Sequence, residues 1–252
     1  MPSPKRQRNA PSAFKLLDYR ARGLLDYAYM RLNKFLAAAT GMGRRTADAA
    51  IQARRVQVNG SPAQAGQSVT TADSVTLDGK LVVISEETVT IMLNKPIGYV
   101  VSRNGQGSKT IYDLLPAEYQ RLKPVGRLDK ESSGLLLLTN DGQLANELTH
   151  PSRQKIKVYE VTLDKPLALL HQQMITDYGI LLDDGPSKFQ LERLTVKSRE
   201  KWKIIMHEGR NRQIRRTFKA LGYTVTQLHR TQFGSYYLEP QTAAGDFTRV
   251  EA

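Results

Sequence analysis

The period of the apolar positions changes along the chain. From Arg31, RLNKFLAAA places Leu32, Phe35 and Leu36 on one helical face, and RRTADAAIQARR repeats apolar residues at Ala47, Ala50 and Ile51. Two short helices joined through GMG are predicted. Alternation then takes over: Val56 and Val58 lead into an Asn59-Gly60 turn, and Val69, Val75 and Leu77 mark further short strands. After the connector KLVVISEETV, the remaining chain is rich in short strand candidates, namely IML, YVVS, GLLLLT, YEVTL, KIIMH and YTVTQLH. Helical patterns lie near Asp141–Leu148, Leu167–Asp177 and Arg212–Leu221. Nothing repeats at a fixed period. The expected architecture is α+β, with a small unit over residues 30–85 and a larger one over 90–252 whose sheet is mainly antiparallel.

Residues 1–29 carry Lys5, Arg6, Arg8, Lys15, Arg20 and Arg22 against Asp18 and Asp26, with Pro2, Pro4 and Pro11, and are expected to form a basic arm. The whole chain holds 37 Lys+Arg and 24 Asp+Glu in 252 residues, a net charge of +13. Such an excess points to a polyanionic partner, because each cation that meets a phosphate releases condensed counterions. Cysteine is absent, which removes disulfides, Cys-ligated zinc, iron–sulfur clusters and Cys nucleophiles and fits a reducing, cytoplasmic setting. The purest apolar run, Leu135 to Leu138, is far shorter than the roughly 20 residues of a membrane helix, and no signal peptide is expected. NGQGS lacks the Lys-Ser/Thr of a phosphate loop, so nucleotide cofactors are disfavoured.

The stretch PVGRLDKESSGLLLLTNDG sets Arg127 and Asp129 in a polar loop directly before a very apolar strand. A carboxylate at a rigid, partly desolvated edge beside a cation suits catalysis. The same residues also suit a turn-capping Asp with a surface Arg.

Two resemblances bear on that choice. RLNKFLAAA, GMGRR and V-x-VNG resemble the small RNA-binding module named after the bacterial ribosomal protein S-four, over roughly Met30 to Lys80. Arg31, Lys34, Arg44, Arg45 and Arg55 are the RNA-docking candidates. Where that family usually has Gly, closing the second helix, this chain has Arg54, which leaves the turn there in question. GRLDKESSGLLLLTNDG closely resembles the signature of the ribosomal RNA pseudouridine synthases that carry such a module. LNKPIGYVVS, KVYEV and EGRNRQIRRTFKALGYTVTQLHRTQFG match further motifs of that family in order.

The resemblance implies an enzyme that breaks a uridine's glycosidic bond, turns the base and rejoins it through carbon five, with no cofactor or metal, acting as a monomer on ribosomal RNA. Large-subunit RNA is preferred. Asp129 matches the catalytic aspartate, and addition to the sugar, addition to the base and action as a base all stay open as its role. Tyr159 matches the Tyr that packs against the target base. On a helix beginning near Asn211, Ile214, Phe218 and Leu221 face the core and leave Arg212, Arg215, Arg216 and Lys219 at other angles. By similarity Arg215 is the partner of Asp129, while Arg210 and Arg216 fit phosphate or structural contacts. Leu228 matches an apolar residue of the uracil pocket, and Lys95, in the opening motif, is placed with the substrate-binding residues. Arg127 is expected to fill the gap left when the uridine flips out of its stack.

Two other classes compete. A non-catalytic RNA-binding or ribosome-assembly protein would not require Asp129, Tyr159 and Arg215 together. A metal-dependent nuclease predicts clustered carboxylates, and none lies near these motifs. His150 and His207 read as structural or solvent-facing.

Overall fold

The computed structural model describes residues 29–84 and 87–250, which divide into two compact units between Glu86 and Glu87. The basic arm falls outside the described residues except for Tyr29.

The first unit opens with β1 (Met30–Arg31), α1 (Leu32–Thr40) and α2 (Arg44–Gln52), and continues with β2 (Val56–Val58), β3 (Ser61–Pro62), β4 (Ser68–Val69), β5 (Val75–Leu77) and β6 (Lys80–Leu81). Strands run in the order β3-β2-β5-β6, and β1 pairs with β4. Its core is Leu32, Leu36, Ala47, Ala50, Ile51, Val56, Val58, Val69 and Val75, which are the apolar positions of both helical faces and of the alternating strands. Asn33 Nδ2 donates to Asp48 Oδ1 at 2.9 Å between the helices. α2 ends in a left-handed turn at Arg54 (φ 57°). The Arg54 amide donates to the Ile51 carbonyl and the Arg55 amide to that of Ala50. This closing turn is the one glycine usually makes, so the turn survives with an arginine in it.

The second unit contains β7 (Thr90–Lys95), β8 (Lys123–Pro124), β9 (Ser133–Thr139), α3 (Gly142–Thr149), β10 (Lys157–Leu163), α4 (Leu169–Gln173), β11 (Ile180–Leu182), β12 (Gly185–Ser187), β13 (Gln190–Arg193), β14 (Lys201–Met206), α5 (Gln213–Ala220), β15 (Val225–Phe233), β16 (Tyr236–Tyr237) and β17 (Phe247–Val250). The main sheet runs β13-β14-β10-β15-β9-β7-β17. Its neighbours are antiparallel except for β15 and β9, which are parallel through His229–Ser133 and Arg230–Gly134. The apolar run in β9 is explained by cover on both faces. Leu136 and Leu138 join the large cluster with Trp202, Ile204 and Phe218, while Leu135 and Leu137 pack with Phe233, Leu148 and Val125.

Three expectations need adjustment. YVVS is not a strand: Val100 makes an isolated bridge to Thr110 within a turn-rich loop. The helix expected to Asp177 is α4 followed by a wider π turn over Met174–Tyr178. The Arg212–Leu221 helix starts one residue later, because Arg212 is left-handed (φ 46°, ψ 31°).

Candidate active site

The loop that carries Asp129 is held from below by a buried cation. Lys95, the last residue of β7, is fully buried. Its Nζ donates to the carbonyls of Pro96 (2.9 Å), Asp129 (3.1 Å) and Ser132 (2.7 Å). Burial lowers its pKa to about 8, while the charges of Asp129 and Glu131 act in the other direction. All three N–H groups are spent on backbone, so Lys95 shapes the loop and does not reach a substrate. That corrects its placement among the substrate-binding residues.

A second cation ties the loop to α5 and β15. Arg215 Nη2 donates to the Glu131 carbonyl (2.9 Å) and Ser132 Oγ (3.3 Å), and Nη1 to the Val225 carbonyl (2.8 Å). Its pKa is lowered by burial first and then by the neighbouring Arg212, against which Asp129 and Glu131 act. Arg215 therefore feels Asp129 without touching its carboxylate. The cation that meets the carboxylate stands three residues earlier in the chain, just before the helix: Arg212 Nη1 lies 3.5 Å from Asp129 Oδ2 and 2.8 Å from Glu131 Oε2. The Arg212 pKa is raised and that of Glu131 lowered, in both cases chiefly by their mutual hydrogen bond.

Arg210 and Arg216 are committed elsewhere. Arg210 donates to the carbonyls of Asp184, Gly185 and Pro186 (2.8, 3.0 and 2.7 Å) and to Asp184 Oδ1 (2.7 Å). Arg216 grips both oxygens of Asp184 at 3.1 and 2.6 Å. Within that contact, Ser187 Oγ accepts from buried Gln213 (3.1 Å) and from Thr217 Oγ1 (2.7 Å), and Gln213 also donates to Glu208. These bonds fasten the β11–β12 hairpin to the start of α5. In this structure both arginines make structural contacts, the second of the two roles that suited them, and not the substrate contacts.

The strand register brings the remaining residues to the same edge. Tyr159 on β10 pairs with Arg230 on β15, Arg230 with Gly134 on β9, and Gly134 with Lys95 on β7. Tyr159 thus lies level with the start of β9, two strands away, or about 10 Å at ordinary strand spacing. Leu228 precedes Arg230 on the side from which the Asp129 loop enters. Leu128, Tyr159, Leu228 and Ile214 belong to one buried cluster, and Asp129, next to Leu128 in the chain, has a side chain 31% exposed. Gly134 is required at the crossing: its φ is 102°, and a Cβ would stand 2.2 Å from the Arg230 carbonyl oxygen. Arg127 is exposed, with no hydrogen bond or ion pair to another described residue.

In the first unit, Arg31, Arg44 and Arg45 are exposed and Lys34 half-buried, none of them paired among the described residues. Arg55 differs, because its guanidinium makes a two-pronged bond to Asp78 at 2.8 and 2.6 Å. Arg54 is exposed beside it. Among the described residues no group of three His, Asp or Glu could hold a metal, and no helix is long and apolar enough to cross a membrane. His150 and His207 bond Ser152 Oγ and the Gln154 carbonyl.

Residues 89–220, which include the Asp129 loop and both anchoring cations, match the family described as RNA pseudouridylate synthase, and residues 30–75 match the S4 domain. The chain belongs to the RNA pseudouridylate synthase family. Ribosomal large subunit pseudouridine synthase B of Bacillus subtilis is 38% identical over 211 residues, covering 81% of this chain and 85% of that protein. The protein of the same name from Xylella fastidiosa is 37% identical across 87% of this chain. Ribosomal small subunit pseudouridine synthase A of Pasteurella multocida is 34% identical, with 88% and 97% covered. A crystal structure titled pseudouridylate synthase superposes with a TM-score of 0.64 at 31% identity over 88% of this chain and 96% of that one. The chain spans about half the length of the Xylella and Xanthomonas relatives it matches. Within the family site, Arg212, Glu131 and Asp184 are the residues that sequence reasoning did not assign. Only Arg212 gave a signal, as one of the cations beside Arg215.

Proposed function

We propose that this protein isomerises a specific uridine of ribosomal RNA to pseudouridine, with Asp129 as the catalytic carboxylate. One observation carries the reading: within the matched family region, Asp129 stands on a loop pinned by Lys95 and Arg215, with Arg212 at 3.5 Å. A backbone held by one buried and one half-buried donor fixes the carboxylate before substrate arrives, which is how positioning lowers a barrier. Tyr159 and Leu228 offer the apolar floor against which a flipped uracil stacks. Arg127, exposed and without a partner among the described residues, fills the vacated stack. The bond between N1 and C1′ is broken and one between C5 and C1′ is made, with the C5 proton exchanged for one on nitrogen. Atoms and electrons therefore balance with no cofactor. The protein acts as a monomer. The S4 domain supplies docking through Arg31, Lys34, Arg44 and Arg45, whose phosphate contacts give affinity and register.

The substrate is large-subunit ribosomal RNA, in keeping with the names of the Bacillus and Xylella relatives, and the site of action is the cytoplasm. The test is to incubate wild-type and Asp129→Asn protein with unmodified ribosomal RNA and map pseudouridine by carbodiimide labelling and primer extension. A stop on large-subunit RNA with wild type, absent with the variant, supports the reading. A stop on small-subunit RNA instead transfers the substrate to the class named for the Pasteurella relative. Tight binding without any stop favours the RNA-binding protein.

A further inference from the structure

Of the three cations bonded to the Asp129 loop or its carboxylates, Lys95, Arg212 and Arg215, one is free to change partners. Lys95 spends all its donors on carbonyls, and Arg215 commits both terminal nitrogens to the loop, β15 and Ser132. Arg212 uses a single nitrogen, Nη1, shared unequally between Glu131 at 2.8 Å and Asp129 at 3.5 Å. Its Nε and Nη2 have no partner among the described residues, and its side chain is 43% exposed. Glu131 is similarly open to solvent: its side chain is 57% exposed, and besides its own backbone amide Arg212 is its one ion-pair partner among the described residues. A carboxylate beside the mouth of a site for a polyanion opposes binding unless it is displaced. Carboxylate and phosphodiester present the same pair of anionic oxygens to a guanidinium.

We propose that Arg212 binds a backbone phosphodiester next to the target uridine, and that in the free protein Glu131 occupies the position this phosphate takes. The inference rests on the functional reading above, because the phosphate is that of an RNA whose uridine lies at Asp129. Glu131 acts as an internal competitor. RNA that places a phosphate at Arg212 displaces it, and RNA that cannot leaves the pair closed, which favours correctly seated substrate over incidental contact.

The test measures affinity for an unmodified ribosomal RNA fragment across a salt series, in an Asp129→Asn background so that no chemistry intervenes. Arg212→Gln is expected to reduce the slope of log affinity against log salt by about 0.7–0.9, the value of one phosphate contact. Arg212→Lys, which keeps the charge, retains the slope. Glu131→Gln is expected to tighten binding by about twofold to fivefold, the worth of an exposed ion pair that no longer competes. An unchanged slope in Arg212→Gln, or weaker binding in Glu131→Gln, overturns the proposal. Pseudouridine formation by the wild type, assayed separately, keeps the two readings apart. If it forms while the slope is unchanged, Arg212 serves Asp129 alone. If no pseudouridine forms on any RNA, the functional reading fails, whatever the slope.

Discussion

Replacing Lys95 with Met tests whether the Asp129 loop is held by a buried ammonium. The three bonds to the carbonyls of Pro96, Asp129 and Ser132 are donated by a charged group, at about 1.5–3 kcal/mol each. Against them stands the cost of burying that charge. The fall of the Lys95 pKa from 10.5 to about 8 corresponds to roughly 3 kcal/mol at 1.36 kcal/mol per pH unit. The variant is therefore less stable by about 1–5 kcal/mol at pH 7, which lowers the melting temperature of a domain this size by roughly 2–20 °C. The sign with pH follows from the same shift. Below pH 8 Lys95 is protonated in both the folded and the unfolded chain. Between pH 8 and 10.5 the unfolded chain binds the extra proton, so wild-type stability rises with pH relative to Lys95→Met, by about 1.4 kcal/mol per unit. Urea unfolding of both proteins from pH 7 to 9.5 reads the difference. A gap that stays constant or narrows above pH 8 refutes the burial argument. Kinetics give an independent arm: a displaced Asp129 lowers kcat, whereas loss of a substrate contact would raise KM and leave kcat unchanged.

Arg215→Lys should lower kcat by about 10- to 100-fold, because one ammonium cannot reach the Val225 and Glu131 carbonyls together and the loop shifts; single-turnover pseudouridine formation measures it. Gly134→Ala should destabilise the second unit by about 3 kcal/mol or more, since the new Cβ would meet the Arg230 carbonyl oxygen and the φ of 102° disfavours any side chain; soluble yield and thermal melting read it, and an unaltered melt would contradict the close crossing. Arg54→Gly should stabilise the first unit by about 0.5–1 kcal/mol by relieving the left-handed turn, seen as slower amide exchange over α2. Removing residues 1–29 should weaken RNA binding and flatten its salt dependence, and an unchanged slope would show that the arm touches no phosphate.

What the sequence could and could not show separates along local and long-range interactions. The helical faces of α1 and α2 and the alternating strands around Asn59-Gly60 follow from period alone, and they became the core of the first unit. Asp129 was singled out through the resemblance of GRLDKESSGLLLLTNDG to the family signature, since its place before an apolar strand suits a turn-capping Asp equally well. Its cation was not, and the reason is conformational: angles on a helical wheel were assigned from Asn211 onward, yet Arg212 is left-handed and lies before the first helical residue. That one residue leaves the wheel and reaches the carboxylates, while Arg215, at its helical angle, reaches the loop's backbone. Lys95 misled for a different cause. A cation ending a strand reads as a surface or ligand contact, because its acceptors are carbonyls one, 34 and 37 residues away. Arg210 and Arg216 depend likewise on Asp184, which a pattern of local spacing cannot pair with them. The motif EGRNRQIRR therefore divides its cations by partner. Arg210 and Arg216 fasten α5 to a hairpin, Arg215 fastens α5 to the Asp129 loop, and Arg212 alone keeps donors for a ligand. A run of arginines that looks redundant in sequence is a graded set of anchors with one open hand.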